Sequence, residues 1–91
     1  MVIKVTQKDI ASAYAAEGNA AHNPIANAIS TEFKTRHILA IDCGKIVNVY
    51  VRDVLLYWCR TLDKNPNPYE ELIKFDNFKK IQPFNFELIS Y

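Results

Sequence analysis

The sequence predicts an α+β fold: a small antiparallel sheet of three to five strands with two N-terminal helices and one short later helix. Three observations lead to this class. The first half of the chain carries apolar residues at helical spacing behind strong capping signals, and the second half mostly alternates apolar and polar residues as strands do. Turn residues separate these runs. No linker, repeat or low-complexity tract divides the 91 residues, so we expect one domain, 1–91.

The chain opens with a short strand and a helix. Residues 2–5 read Val-Ile-Lys-Val, an alternating β-branched run that is typical of a strand. Thr6 followed by Asp9 forms a capping-box pattern, so we expect a first helix from about Gln7 to Ala16. Gly18 then supplies a residue that adopts positive φ without strain, as helix ends often require.

A second helix is predicted to begin at Asn23-Pro24. An asparagine side chain caps exposed backbone amides, and proline suits the first helical position because its missing N–H has no partner there. The residues that would form the apolar face of this helix are Ile25, Ala28, Ile29 and Phe33.

From Arg36 the pattern changes to strands. The apolar run from His37 to Ile41 precedes Asp42-Cys43-Gly44-Lys45, which we interpret as a hairpin turn. Residues 46–51 alternate cleanly, and Arg52-Asp53 is predicted to form a second turn. The alternation places Ile46, Asn48 and Tyr50 on one side and Val47, Val49 and Val51 on the other.

The last third of the chain contains one ambiguous run and two clear elements. Periodicity does not separate strand from helix over Val54–Leu62, but the aromatic and β-branched content and the position after two strands favour a third strand. Asn67-Pro68 then starts a third helix that ends near Asp76. Phe84, Phe86 and Leu88 alternate with polar residues, which predicts a closing strand whose apolar side seals the core. Pro83 marks either the start of that strand or a sheet edge.

Short motifs near both termini carry a family resemblance. The matching residues are Ile3, Val5, Thr6, Ile10, Gly18, Pro24, Ile25, Ala26, Leu72, Phe75, Asp76, Pro83, Phe84, Phe86, Glu87 and Leu88. With this set the chain resembles a family of very small bacteriophage and prophage proteins that show an opening Ile-x-Val-Thr, a Cys-Pro-Ile-Ala helix start and a closing Pro-Phe-x-Phe-Glu strand. Asn23 stands where that family usually has cysteine, so no role of the cysteine transfers. The resemblance implies phage origin and an accessory, non-structural role, without a particular activity.

Composition and charge argue against several classes of protein. The net charge is +1, without the basic excess of a dedicated nucleic-acid binder. Neither a secretory signal nor an apolar run of membrane-span length is present, so we expect a cytoplasmic protein that binds no membrane. With the phage origin that the resemblance implies, that compartment is the cytoplasm of the infected bacterial host. Cys43 and Cys59 should be reduced in that compartment. Neither zinc-motif spacing nor a glycine-rich phosphate loop occurs, and we predict no metal and no cofactor.

Candidate binding residues are arginines and a histidine near strand ends, together with two tyrosines. If the cations converge on one rim, they could bind phosphates or an acidic protein surface; the alternative is scattered solubilising charge. Tyrosine and tryptophan are enriched at binding hot spots, and the neighbours Tyr57 and Trp58 must point to opposite faces of a strand. The predicted binding residues are Arg36, His37, Tyr50, Arg52, Tyr57 and Arg60.

His22 lies directly before the second helix. Amides at a helix N-terminus can hold an anion, and a neighbouring imidazole could assist. A solvent-exposed loop histidine is the simpler interpretation, and we prefer it.

Three functional hypotheses result, in decreasing order of preference. The first is an inhibitor of a host protein or protein complex that acts by protein–protein contact, as an anti-defence protein of the anti-CRISPR type would. The second is a sponge for a small nucleotide signal, using Arg36, Arg52 or Arg60 beside an aromatic side chain. The third is a small enzyme with Cys43 as nucleophile and His37 as base. The uncovered sheet face or edge is the expected contact surface, and homodimerisation would suit so small a core.

Overall fold

The computed structural model describes residues 1–91 and confirms the α+β class. In chain order the elements are β1 (Val2–Val5), α1 (Gln7–Ala15), α2 (Pro24–Phe33), β2 (Ile38–Cys43), β3 (Ile46–Val51), β4 (Val54–Thr61), α3 (Pro68–Asp76) and β5 (Phe84–Ser90). The five strands form one antiparallel sheet in the order β1-β5-β4-β3-β2. None of the helices has the length and apolar content needed to cross a bilayer.

Strands β2, β3 and β4 form a meander with two tight turns. The residues Gly44, Lys45, Arg52 and Asp53 all have positive φ, as type I′ two-residue hairpin turns require. The prediction that Asp42-Cys43 belongs to the first turn is wrong. Because a two-residue turn needs only Gly44 and Lys45, Cys43 remains in β2 and pairs with Ile46.

Residues Val54–Thr61 form a strand, which confirms the preferred interpretation of the ambiguous run. The register shifts within this strand: Val49 lies opposite Tyr57, whereas Tyr50 lies opposite Leu55. Leu56 is therefore an extra, bulged residue. The bulge explains why the sequence shows no clean alternation here, since a bulge resets which face each following residue points to.

Strand β5 lies inside the sheet, between β1 and β4. Its residue Phe86 faces Ile3 on one side and Thr61 on the other. Pro83 therefore marks the start of a strand and not a sheet edge, because it precedes the first ladder residue, Phe84. The predicted apolar side of β5 is confirmed, and Phe86 is 0% exposed.

All three helices contribute to one apolar core on one face of the sheet. This arrangement follows from the alternation along the strands, since every second residue of a strand points to that face and is buried there. The strands supply Ile3, Val5, Ile38, Ala40, Val47, Val49, Cys59, Phe84, Phe86 and Leu88, and the helices supply Ile10, Ala13, Ile25, Ala26, Ala28, Ile29, Leu72 and Phe75. The opposite face carries no helix.

Asn23 joins the start of α2 to strand β2. Its side-chain Oδ1 accepts a hydrogen bond from Ala26 N at 2.8 Å, which is the predicted helix cap. Its Nδ2 donates to the carbonyl oxygen of Ala40 in β2 at 2.9 Å, and this bond is buried. One side chain thus starts the helix and fixes the position of that start over the sheet.

Gly18 allows α1 to end against α3. Its φ is +62°, and a Cβ at this position would lie only 2.8 Å from Cε2 of Phe75. Both the backbone conformation and the close approach of the Phe75 ring exclude a larger residue without movement of the neighbours.

Replacing the central core residue Phe86 with alanine should lower the free energy of unfolding by about 3–5 kcal/mol, because the change removes buried apolar area and leaves a cavity. Phe78 provides a matched control, since it is 88% exposed. Phe78→Ala should change the free energy of unfolding by less than about 0.5 kcal/mol. Urea unfolding followed by Trp58 fluorescence measures both values, and similar losses in the two variants would contradict the assigned core.

Asn23→Ala should cost more stability than loss of a helix cap alone, which is worth about 1 kcal/mol. The variant also loses the buried hydrogen bond to Ala40, a further loss of about 1 kcal/mol. Asn67 is the matched control, because its Oδ1 caps α3 through Tyr69 N at 2.8 Å without contacting a strand. If thermal or urea unfolding shows Asn67→Ala to be as costly as Asn23→Ala, the proposed helix–sheet link makes no contribution.

Candidate functional site

The sheet face that the helices leave uncovered carries a set of apolar side chains. Val47 and Cys59 point into the core, so their strand neighbours Asn48 and Trp58 point the other way. We call this surface the open face. Its apolar members, half-buried or exposed, are Leu39, Ile41, Ile46, Tyr50, Leu55, Trp58 and Ile89.

Trp58 occupies the middle of the open face. It is flanked by Asn48 of β3 and Ile89 of β5. The pairing with β4 continues one residue beyond β5, where Tyr91 N donates to the carbonyl oxygen of Leu56 at 3.0 Å, and the Tyr91 hydroxyl donates to Asn48 Oδ1. Asn48 is only 8% exposed, and its Oδ1 already has a partner. The centre of the face therefore presents mainly apolar and aromatic groups.

One end of the open face carries an ion pair, whose two charges cancel. Arg60 of β4 donates to Glu87 Oε1 from Nε at 3.1 Å and also from Nη2. This hydrogen bonding, assisted by the charge of Arg60, holds the pKa of Glu87 below its ordinary range against the opposing effect of burial. The pair sits at the boundary of the apolar surface.

The structure does not bring the predicted arginines together. Arg52 and Arg60 lie at opposite ends of β4, about 26 Å apart at roughly 3.3 Å per strand residue. Arg52 lies beside His37, where its backbone N donates to the His37 carbonyl oxygen at 2.9 Å. Arg36 extends towards α2 on the helical side. A common cationic rim formed by all three arginines is therefore absent.

The two predicted tyrosines lie on different faces. Tyr50 is a half-buried member of the open face. Tyr57 points to the helical side, where its ring meets Phe33 edge-on with centroids 5.7 Å apart. Of the adjacent aromatic pair, Trp58 is thus the residue available for contacts from the open face, and Tyr57 supports the core.

The proposed His37–Cys43 pair does not form. His37 precedes β2 and Cys43 ends it, so the two are about 20 Å apart at roughly 3.3 Å per residue. Cys59 is buried, and burial raises the pKa of its thiol well above the ordinary range, which disfavours the reactive thiolate. No group of three or more His, Cys, Asp or Glu side chains is placed to hold a metal ion.

A polar cleft of about 340 Å³ lies between α1 and α2. Its lining residues, none of them hydrophobic, are Lys8, Asp9, Ser12, His22, Asn27, Thr31 and Arg36. Arg36 Nη2 lies 2.7 Å from His22 Nδ1, and it donates to Asn27 Oδ1 and to the Ala21 carbonyl oxygen, each at 3.2 Å. His22 is therefore not the free loop histidine that we expected, but a half-buried partner of Arg36.

The polar cleft was missed because its members come from two helices and two connecting segments. A usable signal exists in the sequence. Lys8 and Ser12 are four residues apart on α1, as are Asn27 and Thr31 on α2, so each pair shares one helical face. Two polar pairs on neighbouring helices indicate a polar groove once the helices are known to pack together.

Replacing Arg60 with glutamine should raise the pKa of Glu87 towards its ordinary range, since the main cause of the lowered value is removed. Because the folded-state pKa of Glu87 is lowered, its ionised form favours folding above the unfolded-state pKa. That contribution is lost as the pH falls through the lowered value. Carboxyl ¹³C NMR titration of Glu87 measures the change. Lys74→Gln, which removes a cation beside Glu71 on α3, should leave the Glu87 titration unchanged.

Comparison with known proteins provides no relative from which a function could be transferred. No family model, no curated protein and no solved structure matches this chain. The resemblance to small phage proteins rests on the short terminal motifs alone. The open face and the polar cleft are therefore the features from which a function is argued.

Proposed function

We propose that this protein is a phage-encoded binding protein that inhibits a bacterial host factor by docking its open face onto that protein. The observation that carries the proposal is the apolar surface around Trp58, which no helix of the chain covers. Exposed apolar surface of this extent in a soluble domain marks an interaction site. The family resemblance implies the phage origin and an accessory role, and inhibition of a host protein is the form of that role proposed here.

The composition of the open face suits a protein partner. Interfaces are apolar and aromatic at the centre and polar at the rim, and Trp and Tyr supply a large share of binding energy. Here Trp58 and Tyr50 lie within the apolar part, and the Arg60–Glu87 pair lies at its edge. Because these side chains project from paired strands, docking requires little ordering of the backbone.

The dimensions of the open face match a small interface. The four spacings of about 4.8 Å between five strands span about 19 Å, and six strand residues at roughly 3.3 Å cover about 20 Å. The resulting area of about 400 Å² is about half of the roughly 800 Å² per partner that a standard specific interface buries, so it corresponds to a small interface of the weak or transient kind. It is large enough for a partner that binds reversibly.

Other classes of ligand fit the open face less well. Arg60, which projects from this face, is paired with Glu87, and Lys4 on the edge strand is the one unpaired cation there, so the surface lacks the row of free cations that a phosphate backbone would engage. No cavity is lined by Tyr50, Trp58 or Ile89, so a small molecule would find no enclosing pocket there. A folded protein surface can bind the open face without free cations and without an enclosing pocket.

The test is capture of the host partner by the tagged protein, followed by titration calorimetry with the purified partner. Trp58→Ala should weaken binding at least about 30-fold, as expected for a hot-spot residue worth about 2 kcal/mol. Ile41→Glu, which places a charge at an exposed position of the open face, should abolish capture. Both variants are first checked by circular dichroism for an intact fold.

Phe78→Glu is the matched control, because it makes the same apolar-to-acidic change at an exposed residue outside the open face. It should bind the partner as the wild type does and still inhibit the activity of the partner. Equal binding by Ile41→Glu and the wild type would refute the proposal. A second outcome would also refute it: no host protein is captured, and light scattering shows a dimer that Ile41→Glu dissociates. In that case a second copy of the chain would occupy the open face.

A further inference from the structure

We propose that the polar cleft between α1 and α2 is a binding site for a small tetrahedral oxyanion, phosphate or a phosphomonoester, with Arg36 as its principal ligand. This site lies on the helical side of the molecule and is independent of the open face. The proposal rests on how Arg36 is held, on which donors remain free, and on the chemistry of the cleft walls.

Arg36 carries a charge that no carboxylate neutralises. The salt bridges of the chain join Arg60 to Glu87 and Lys74 to Glu71, and neither involves Arg36. The Arg36 guanidinium is instead held through Nη2 by three neutral acceptors, with Nε and Nη1 left without partners. A guanidinium with one fixed nitrogen and free neighbouring N–H groups can present a fork to two oxygens of an oxyanion.

Buried Asn27 fixes this geometry in advance. This residue is 6% exposed, and its Nδ2 donates to the Asp9 backbone oxygen at 2.9 Å. That bond orients the amide so that Oδ1 receives Arg36. His22 acts alongside it: arginine is always a donor, so His22 Nδ1 must accept, and the imidazole proton is then on Nε2. His22 Nε2 thereby becomes a further donor.

The α1 wall adds two more donors. Lys8 Nζ and Ser12 Oγ make no hydrogen bond and share one helical face. Asp9 also lines the cleft, but its carboxylate Oδ2 accepts two hydrogen bonds from Thr6, both at 2.9 Å. The capping box thus fixes one carboxylate oxygen of the one acid in the cleft, whereas Lys8 Nζ and Ser12 Oγ face no internal acceptor.

The lining of the cleft selects the class of ligand. It contains no aromatic or aliphatic side chain, so a nucleobase would find no surface on which to stack. Its volume of about 340 Å³ is near the lower limit of small-molecule sites. The recognised group is therefore the phosphoryl group itself, and a sugar or a base attached to it would extend into solvent.

The experiment is a ¹H–¹⁵N NMR titration at constant ionic strength, with sodium phosphate, AMP, adenosine and sodium chloride as separate additions. Phosphate and AMP should give saturable shifts at the amides of the cleft and at Arg36 Nε, with similar affinities. Adenosine and chloride should give none. Arg36→Gln should weaken phosphate binding at least about tenfold, the loss expected for a charged hydrogen-bond donor, and Arg36→Lys should restore part of it.

Lys8→Gln tests the site without disturbing the fold, because Lys8 is exposed and makes no internal bond. It should weaken phosphate binding severalfold, whereas the matched control Lys80→Gln, at an exposed lysine outside the cleft, should not. Shifts that chloride reproduces, or that persist in Arg36→Gln and Lys8→Gln, would overturn the proposal. Binding of AMP far tighter than phosphate, with shifts at an aromatic residue, would overturn the ligand class. None of these outcomes depends on the open face.

Discussion

The fold depends on the insertion of β5 between β1 and β4. Strand β1 has no other neighbour in the sheet, so its place is set by pairs such as Ile3 with Phe86 and by the hydrogen bond from Leu88 N to the Met1 carbonyl oxygen, at 2.8 Å. The meander β2–β4 can form from nearby residues, whereas the β1–β5 ladder joins opposite ends of the sequence. Such non-local pairing is the entropically costly step of folding, and the burial of Phe86 helps to offset it.

The same architecture creates the open face. An antiparallel sheet can expose one side to water, and that side is normally polar. Here the three helices all pack on the other side, yet the uncovered strands still carry Leu39, Ile41, Trp58 and Ile89. These positions lie outside the buried core, which is on the helical side. The presence of these apolar residues is the observation on which the proposed contact with a partner protein rests.

Arg36 and Arg60, both predicted as binding residues, have different electrostatic environments. Arg60 faces Glu87 across two strands, so its charge is neutralised and the pKa of Glu87 is lowered. Arg36 is held by an imidazole, an amide and a backbone carbonyl, so its charge remains available. The first arrangement leaves the rim of the open face neutral and compatible with an apolar interface. The second produces a preorganised cation in a polar cleft.

The sequence alone determined the features that depend on near neighbours. The Thr6–Asp9 capping box, the helix starts at Asn23 and Asn67, the alternation of β3 and the Arg52-Asp53 turn all follow from contacts within a few residues, and the structure confirms them. Tertiary structure alone decided that β5 is an interior strand, that Tyr57 faces Phe33, that Arg60 meets Glu87 and that Arg36 meets His22. These pairings join residues distant in the chain, and local propensity carries no information about which distant partner each side chain will meet.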